Sequence, residues 1–163
     1  MNRLTVDSTG DPDNRETYTL TAGEEVINLS SKGLGAADVN LLAVWLQRPE
    51  VIAGLAEIAL DWCPLAGATS KHGDAKKYGW ENTDSQMNGF ISLCTFLGKL
   101  QKVSLANCGL GSASAHELAK AISSAGAALI KVDASGNSEI GGEGKTALQT
   151  AIQGRQPTIE LVV

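Results

Sequence analysis

Apolar residues recur along this chain in one spaced pattern, L-x-x-[IV]-x-L-x-x-C-x-L. It is intact in "LAEIALDWCPL" from Leu55 to Leu65 and in "LQKVSLANCGL" from Leu100 to Leu110. Looser copies flank these two. "EEVINLSSKGL" from Glu24 to Leu34 keeps Ile27, Leu29 and Leu34, while "LIKVDASGNSEI" from Leu129 to Ile140 keeps Leu129, Val132, Asn137 and, one residue late, Ile140. The tail "PTIELVV" offers Ile159 and Leu161 as a fifth strand. Within each copy the aliphatics alternate with polar or small residues, which is the period of a strand. Between copies they return at helical spacing: Leu41, Leu42, Trp45 and Leu46, then Phe90, Leu93, Cys94 and Leu97, then Leu118, Ala121 and Ile122, then Ala147, Leu148, Ala151 and Ile152. Each unit is predicted to run strand, loop, helix, loop. One such unit cannot bury its own apolar face, so several must stack over a shared core.

With Ile27, Ile58, Val103, Val132 and Ile159 taken as equivalent, the steps are 31, 45, 29 and 27 residues. Three are close to one unit length. That length, a full helix in each unit, and the openings Gly33-Leu34-Gly35 and Gly109-Leu110-Gly111 resemble the ribonuclease-inhibitor-like class of leucine-rich repeats. The resemblance spans residues 24–163 and implies an α/β solenoid of about four to five repeats. In such a short horseshoe the parallel strands line the concave side and the helices the convex side. It also implies protein binding without catalysis: a scaffold or binding module with no cofactor and no metal. Residues 1–23 are then a polar N-terminal segment or cap, expected to be loose at its start, with "TYTLT" from Thr17 to Thr21 as a short cap strand.

The 45-residue step carries an insertion at about residues 66–86, polar and glycine-containing, with Lys71, Lys76 and Lys77 beside Tyr78 and Trp80. It falls between strand and helix, hence at the rim of the sheet, where aromatic side chains anchor interfaces. The alternative is that Trp80 folds back to cover its own loop. Residues alternating with the core positions are expected on the open face of the sheet. They are Asn28 and Ser30, then Glu57, Ala59 and Asp61, then Lys102, Ser104 and Ala106, then Lys131, Asp133 and Ser135, and last Glu160. Trp62 follows the second strand. The candidate partner-binding set is therefore Glu57, Asp61, Trp62, Lys76, Tyr78, Trp80, Lys102 and Asp133.

Composition narrows the partner. A formal charge of -5 argues against nucleic acid, whose phosphates demand clustered Lys and Arg. Neither a signal-peptide-like run nor a membrane-length apolar stretch occurs, so an intracellular, cytoplasmic protein is expected. Cys63, Cys94 and Cys108 have no metal-type spacing, and thiols are expected rather than a bridge, although Cys63 and Cys108 occupy equivalent places in successive units. "EIGGEGKT" from Glu139 to Thr146 ends like a phosphate-binding loop, but Glu139 stands where that motif requires glycine. It aligns instead with the strand-to-helix corners at Leu34 and Leu110, which leaves nucleotide binding as a third reading. His72 with Asp74 is too sparse for a metal site, and His116 is expected to be solvated. The second reading is a structural subunit of a larger assembly, self-associating through an unpaired C-terminal edge strand.

Overall fold

Five short parallel strands form the centre of the computed structural model, which describes residues 1–163. They are β3 (Val26–Asn28), β4 (Glu57–Ala59), β7 (Lys102–Ser104), β8 (Lys131–Asp133) and β9 (Glu160–Val162), and they pair in that order. The protein is thus mixed α/β. The helices following the strands are α1 (Ala36–Leu46), α4 (Asn88–Leu97), α5 (Ser112–Ser124) and α6 (Gly141–Ile152), and they pack neighbour on neighbour in the order of the strands. A one-turn helix, α2 (Pro49–Ile52), follows α1. No helix is long and apolar enough to cross a membrane.

The repeated pattern accounts for the packing. Ile27, Ile58, Val103 and Val132 are mutually in register and each is at most 2% exposed. Two residues on, Leu29, Leu60, Leu105 and Ala134 are buried in turn. The helices meet them with stripes at the i, i+3, i+4, i+7 spacing, such as Phe90, Leu93, Cys94 and Leu97 on α4. All belong to one continuous core. Each fully buried aliphatic contributes about 1.5–3 kcal/mol, so stacking units is what makes three-residue strands stable.

The ladder of hydrogen bonds moves the last equivalence. Val132 faces Leu161, not Ile159, so the final step is two residues longer than the 27 expected from the sequence. Ile159 and Leu161 point to the same side by alternation, and only the bonds Glu160 N to Ile130 O (2.9 Å) and Ala134 N to Val162 O (2.8 Å) distinguish them.

The bends after the first four strands share one backbone conformation, and three of them share a side-chain bond. Ser31, Trp62, Asn107 and Gly136 hold left-handed φ of 59°, 61°, 56° and 70°. The next residue reaches back one unit: the Cys63 thiol to Leu29 O (3.4 Å), the Cys108 thiol to Leu60 O (3.1 Å), and the Asn137 amide nitrogen to Leu105 O (2.9 Å).

The N-terminal segment is ordered rather than loose. Strand β1 (Arg3–Asp7) pairs antiparallel with β2 (Thr17–Thr21), setting Leu4 opposite Leu20 and Val6 opposite Tyr18. Tyr18 and Leu20 enter the core at 2% and 0% exposure. The polar alternate positions concealed a half-buried hairpin.

All three cysteines are buried free thiols, and burial pushes each thiol pKa upward. Burial also raises that of Tyr18, with Asp38 beside it acting the same way. The folded chain therefore keeps protons that the unfolded chain releases above about pH 8.5 for Cys and 10 for Tyr. Stability should be insensitive to these groups at neutral pH and fall as pH rises past about 8.5, by up to about 1.4 kcal/mol per pH unit per thiol. Urea midpoints at a series of pH values measure this; a midpoint unchanged from neutrality to pH 10.5 would refute it.

Candidate functional site

On the open face of the sheet, four of the eight expected contact residues come together: Glu57 and Lys102 are matched in charge, while Asp61 and Asp133 are hydrogen-bonded but meet no cation. Register places Glu57, Lys102, Lys131 and Glu160 in one row. There Lys102 pairs with Glu57 at 2.5 Å and Lys131 with Glu160 at 2.8 Å. The Glu160 carboxylate raises the Lys131 pKa through its hydrogen bond and its charge. Asp61 accepts from Ser104 Oγ (2.6 Å) and Ala106 N (2.8 Å). Asp133 accepts from Ser135 Oγ (2.6 Å) and Ser135 N (3.0 Å). Exposed ion pairs of this kind contribute little stability, about 0–1 kcal/mol each. Between them the face holds a shallow hollow of about 210 Å³ lined by Glu57, Lys102, Lys131 and Asp133 among others.

The insertion is a folded element. Strands β5 (Thr69–Ser70) and β6 (Trp80–Glu81) pair antiparallel around a 3-10 turn, Lys71–Gly73, and a one-turn helix, α3 (Ala75–Tyr78). Its base closes through Gln86 N to Ala66 O (2.9 Å) and Ser85 Oγ to Gly67 O (2.7 Å). Asp84 reaches the next unit and caps α5, accepting from Gly111 N (3.0 Å), Ala113 N (2.9 Å) and Ser114 N (3.2 Å), with a short bond from Ser114 Oγ. The free amides and the dipole at that helix start favour a carboxylate there. No spacing rule points to this cap, because donor and acceptor lie on different units.

Trp80 is less free than an exposed anchor would be. Its indole nitrogen donates to Asn107 O at 2.9 Å and the side chain lies against Gly109. Tyr78 is exposed, set edge-on to His72 with ring centroids 5.2 Å apart, and stands outside the groove that its neighbours form.

That groove lies between the N-terminal segment and the insertion. Trp62, half-buried, and Trp80 line it, with Lys76 from α3, Asp74 before it, and Asp11, Asn14 and Glu16 from the segment between β1 and β2. Its volume is about 240 Å³. The Lys76 ammonium stands 5.8 Å from the centre of the Trp62 ring. Gly10 forms part of the wall: its amide donates to Gly33 O at 2.9 Å, and a Cβ there would come within 2.5 Å of that oxygen. Only glycine lets the segment lie so close.

No protein-family model and no curated protein matches this chain.

Asp38, absent from the expected set, fixes the groove's wall. Buried at 3% exposure, it accepts from Thr9 N (2.7 Å), Thr9 Oγ1 (2.6 Å), Gly35 N (2.9 Å) and the Tyr18 hydroxyl (2.9 Å). The sequence signal for it was its place in the first turn of a helix; its partners from the hairpin left no signal.

The stretch from Glu139 to Thr146 does not form a phosphate cradle. Glu139 lies in the 3-10 turn Ser138–Ile140, Gly141 makes the corner at φ 64°, and α6 takes in Gly142 through Thr146. Gly144 is buried where α5 and α6 touch, since a Cβ there would come within 2.9 Å of the Ala115 methyl. Lys145 and His116 are exposed on the helix layer.

Proposed function

We propose that the chain is a ribonuclease-inhibitor-like leucine-rich-repeat module, a short horseshoe of about five units with a concave sheet and convex helices, that binds a protein partner and performs no chemistry. The repeated bend, the parallel register and the matched helix order support the fold reading. The observation that carries the binding reading is Trp62. At the same bend position the other units have Ser31, Asn107 and Gly136, and φ of 61° is one that a bulky L-residue adopts at a cost of about 1–2 kcal/mol. The turn needs no indole, and the indole lies half-exposed on the rim beside the insertion. Aromatic groups so placed are the usual centres of binding energy.

Trp62→Asn tests this directly. Asparagine tolerates the left-handed conformation, so the urea midpoint should move by no more than the equivalent of about 1 kcal/mol, while capture of the native partner by the immobilised protein should be lost. A several-kcal/mol loss of stability with capture intact would make Trp62 a core residue and end the proposal. The second reading, self-association along the margin of β9, rests on Val162, which is 37% exposed there. A subunit joined that way would be indifferent to Trp62→Asn, so the same comparison separates the two.

A further inference from the structure

We infer that the groove beside Trp62 receives a cationic side chain, an arginine in preference to a lysine, on a basic segment of the partner, and that Lys76 is the insertion's own stand-in for it. The inference rests on the binding role proposed above and adds the chemistry of the partner.

Three independent features converge. Two indoles line a cavity of about 240 Å³, below the roughly 300–1,000 Å³ of small-molecule sites and suited to one long side chain. The lining holds three carboxylates, Asp11, Glu16 and Asp74, against the one lysine. Glu16 is matched by Lys32 at 3.3 Å, but the polar contacts of Asp11 and Asp74 are to the backbone amides of Asp13 (3.0 Å) and Lys77 (3.1 Å), which leave their charges uncompensated. Finally, a cation already occupies the place: the Lys76 ammonium faces the Trp62 ring at 5.8 Å. Indole faces attract cations, and a planar guanidinium can stack on the ring while its fork meets a carboxylate. Lys76 is exposed and can leave. The chain's net charge of -5 favours approach of a basic segment.

Three acetylated, amidated hexapeptides are the probes: alternating Gly–Arg, Gly–Lys and Gly–Glu. Tryptophan emission reports binding, since Trp45, 4% exposed, lies in the core away from the groove. The Gly–Arg peptide should bind several-fold more tightly than Gly–Lys, and Gly–Glu should leave the emission unchanged. Trp62→Asn should weaken the Gly–Arg complex by at least about fivefold, and Lys76→Ala should strengthen it by removing the internal competitor. Binding of Gly–Glu that Lys76→Ala abolishes would overturn the inference, because Lys76 would then be the recognising group and the partner acidic. Equally, if no peptide binds to the wild-type protein or to Lys76→Ala, the cation inference fails. In that event, loss of native-partner capture by Trp62→Asn would leave the binding role standing, whereas unaltered capture would remove both.

Discussion

Replacing Asn137 with alanine is expected to cost about 3–5 kcal/mol of folding free energy, the largest effect of any single polar substitution in the sheet region. The carboxamide is 6% exposed and all its hydrogen-bonding capacity is engaged. Its oxygen accepts from Cys108 N (2.9 Å) and Leu110 N (3.0 Å), and its nitrogen donates to Leu105 O (2.9 Å) and Ala134 O (2.9 Å). Truncation strands four buried backbone groups at once, at about 1–3 kcal/mol each before water enters the gap. Asn137→Cys should be milder, since the thiols of Cys63 and Cys108 already donate to the equivalent carbonyls of Leu29 and Leu60. It restores the bond to Leu105 O but neither the one to Ala134 O nor the two acceptor bonds. Urea unfolding of the three proteins should therefore rank wild type above Cys above Ala. A loss below about 1 kcal/mol for the alanine protein would show that the bend does not depend on this amide.

Asp38→Ala should cost about 3 kcal/mol and, unlike Asn137→Ala, act on one part of the molecule first. Its carboxylate ties Thr9 and Tyr18 of the N-terminal hairpin to Gly35 at the start of α1. Bonds to a charged acceptor are worth about 1.5–3 kcal/mol each, and the position in the first turn of α1 adds the helix dipole. Without it, amides of Arg3–Asp7 and Thr17–Thr21 should lose hydrogen-exchange protection while those of Lys102–Ser104 and Lys131–Asp133 keep theirs. Uniform loss of protection, or none, would refute the latch. Because Asp11, Asn14 and Glu16 hang from the same segment, the binding proposed for the groove should weaken in this variant as well.

Much of the architecture is legible in the residues themselves. The inward aliphatics, the Cys or Asn after three of the four bends, and the helical stripes are each specified within about a dozen residues, and a periodic pattern needs no knowledge of its neighbours to be recognised. The site is less legible. Alternation puts Glu57, Asp61, Lys102 and Asp133 on one face, but which of them find a partner there depends on which residue lies opposite which. Trp62 was visible as an aromatic after a strand, whereas its left-handed backbone and half-exposed ring were not.

What alternation and spacing determine is which side chains point inward and how many strand and helix units follow one another. Tertiary structure alone decided the register of Leu161 over Ile159, the docking of the N-terminal hairpin through Asp38, the capping of α5 by Asp84, and hence the walls of the groove. Those features join residues roughly 30 positions apart, such as Thr9 with Asp38 and Asp84 with Ser114. Hydrophobic burial is non-directional and marks its residues one by one along the chain. A hydrogen bond between distant groups exists only once both ends have been placed, so no local pattern can announce it.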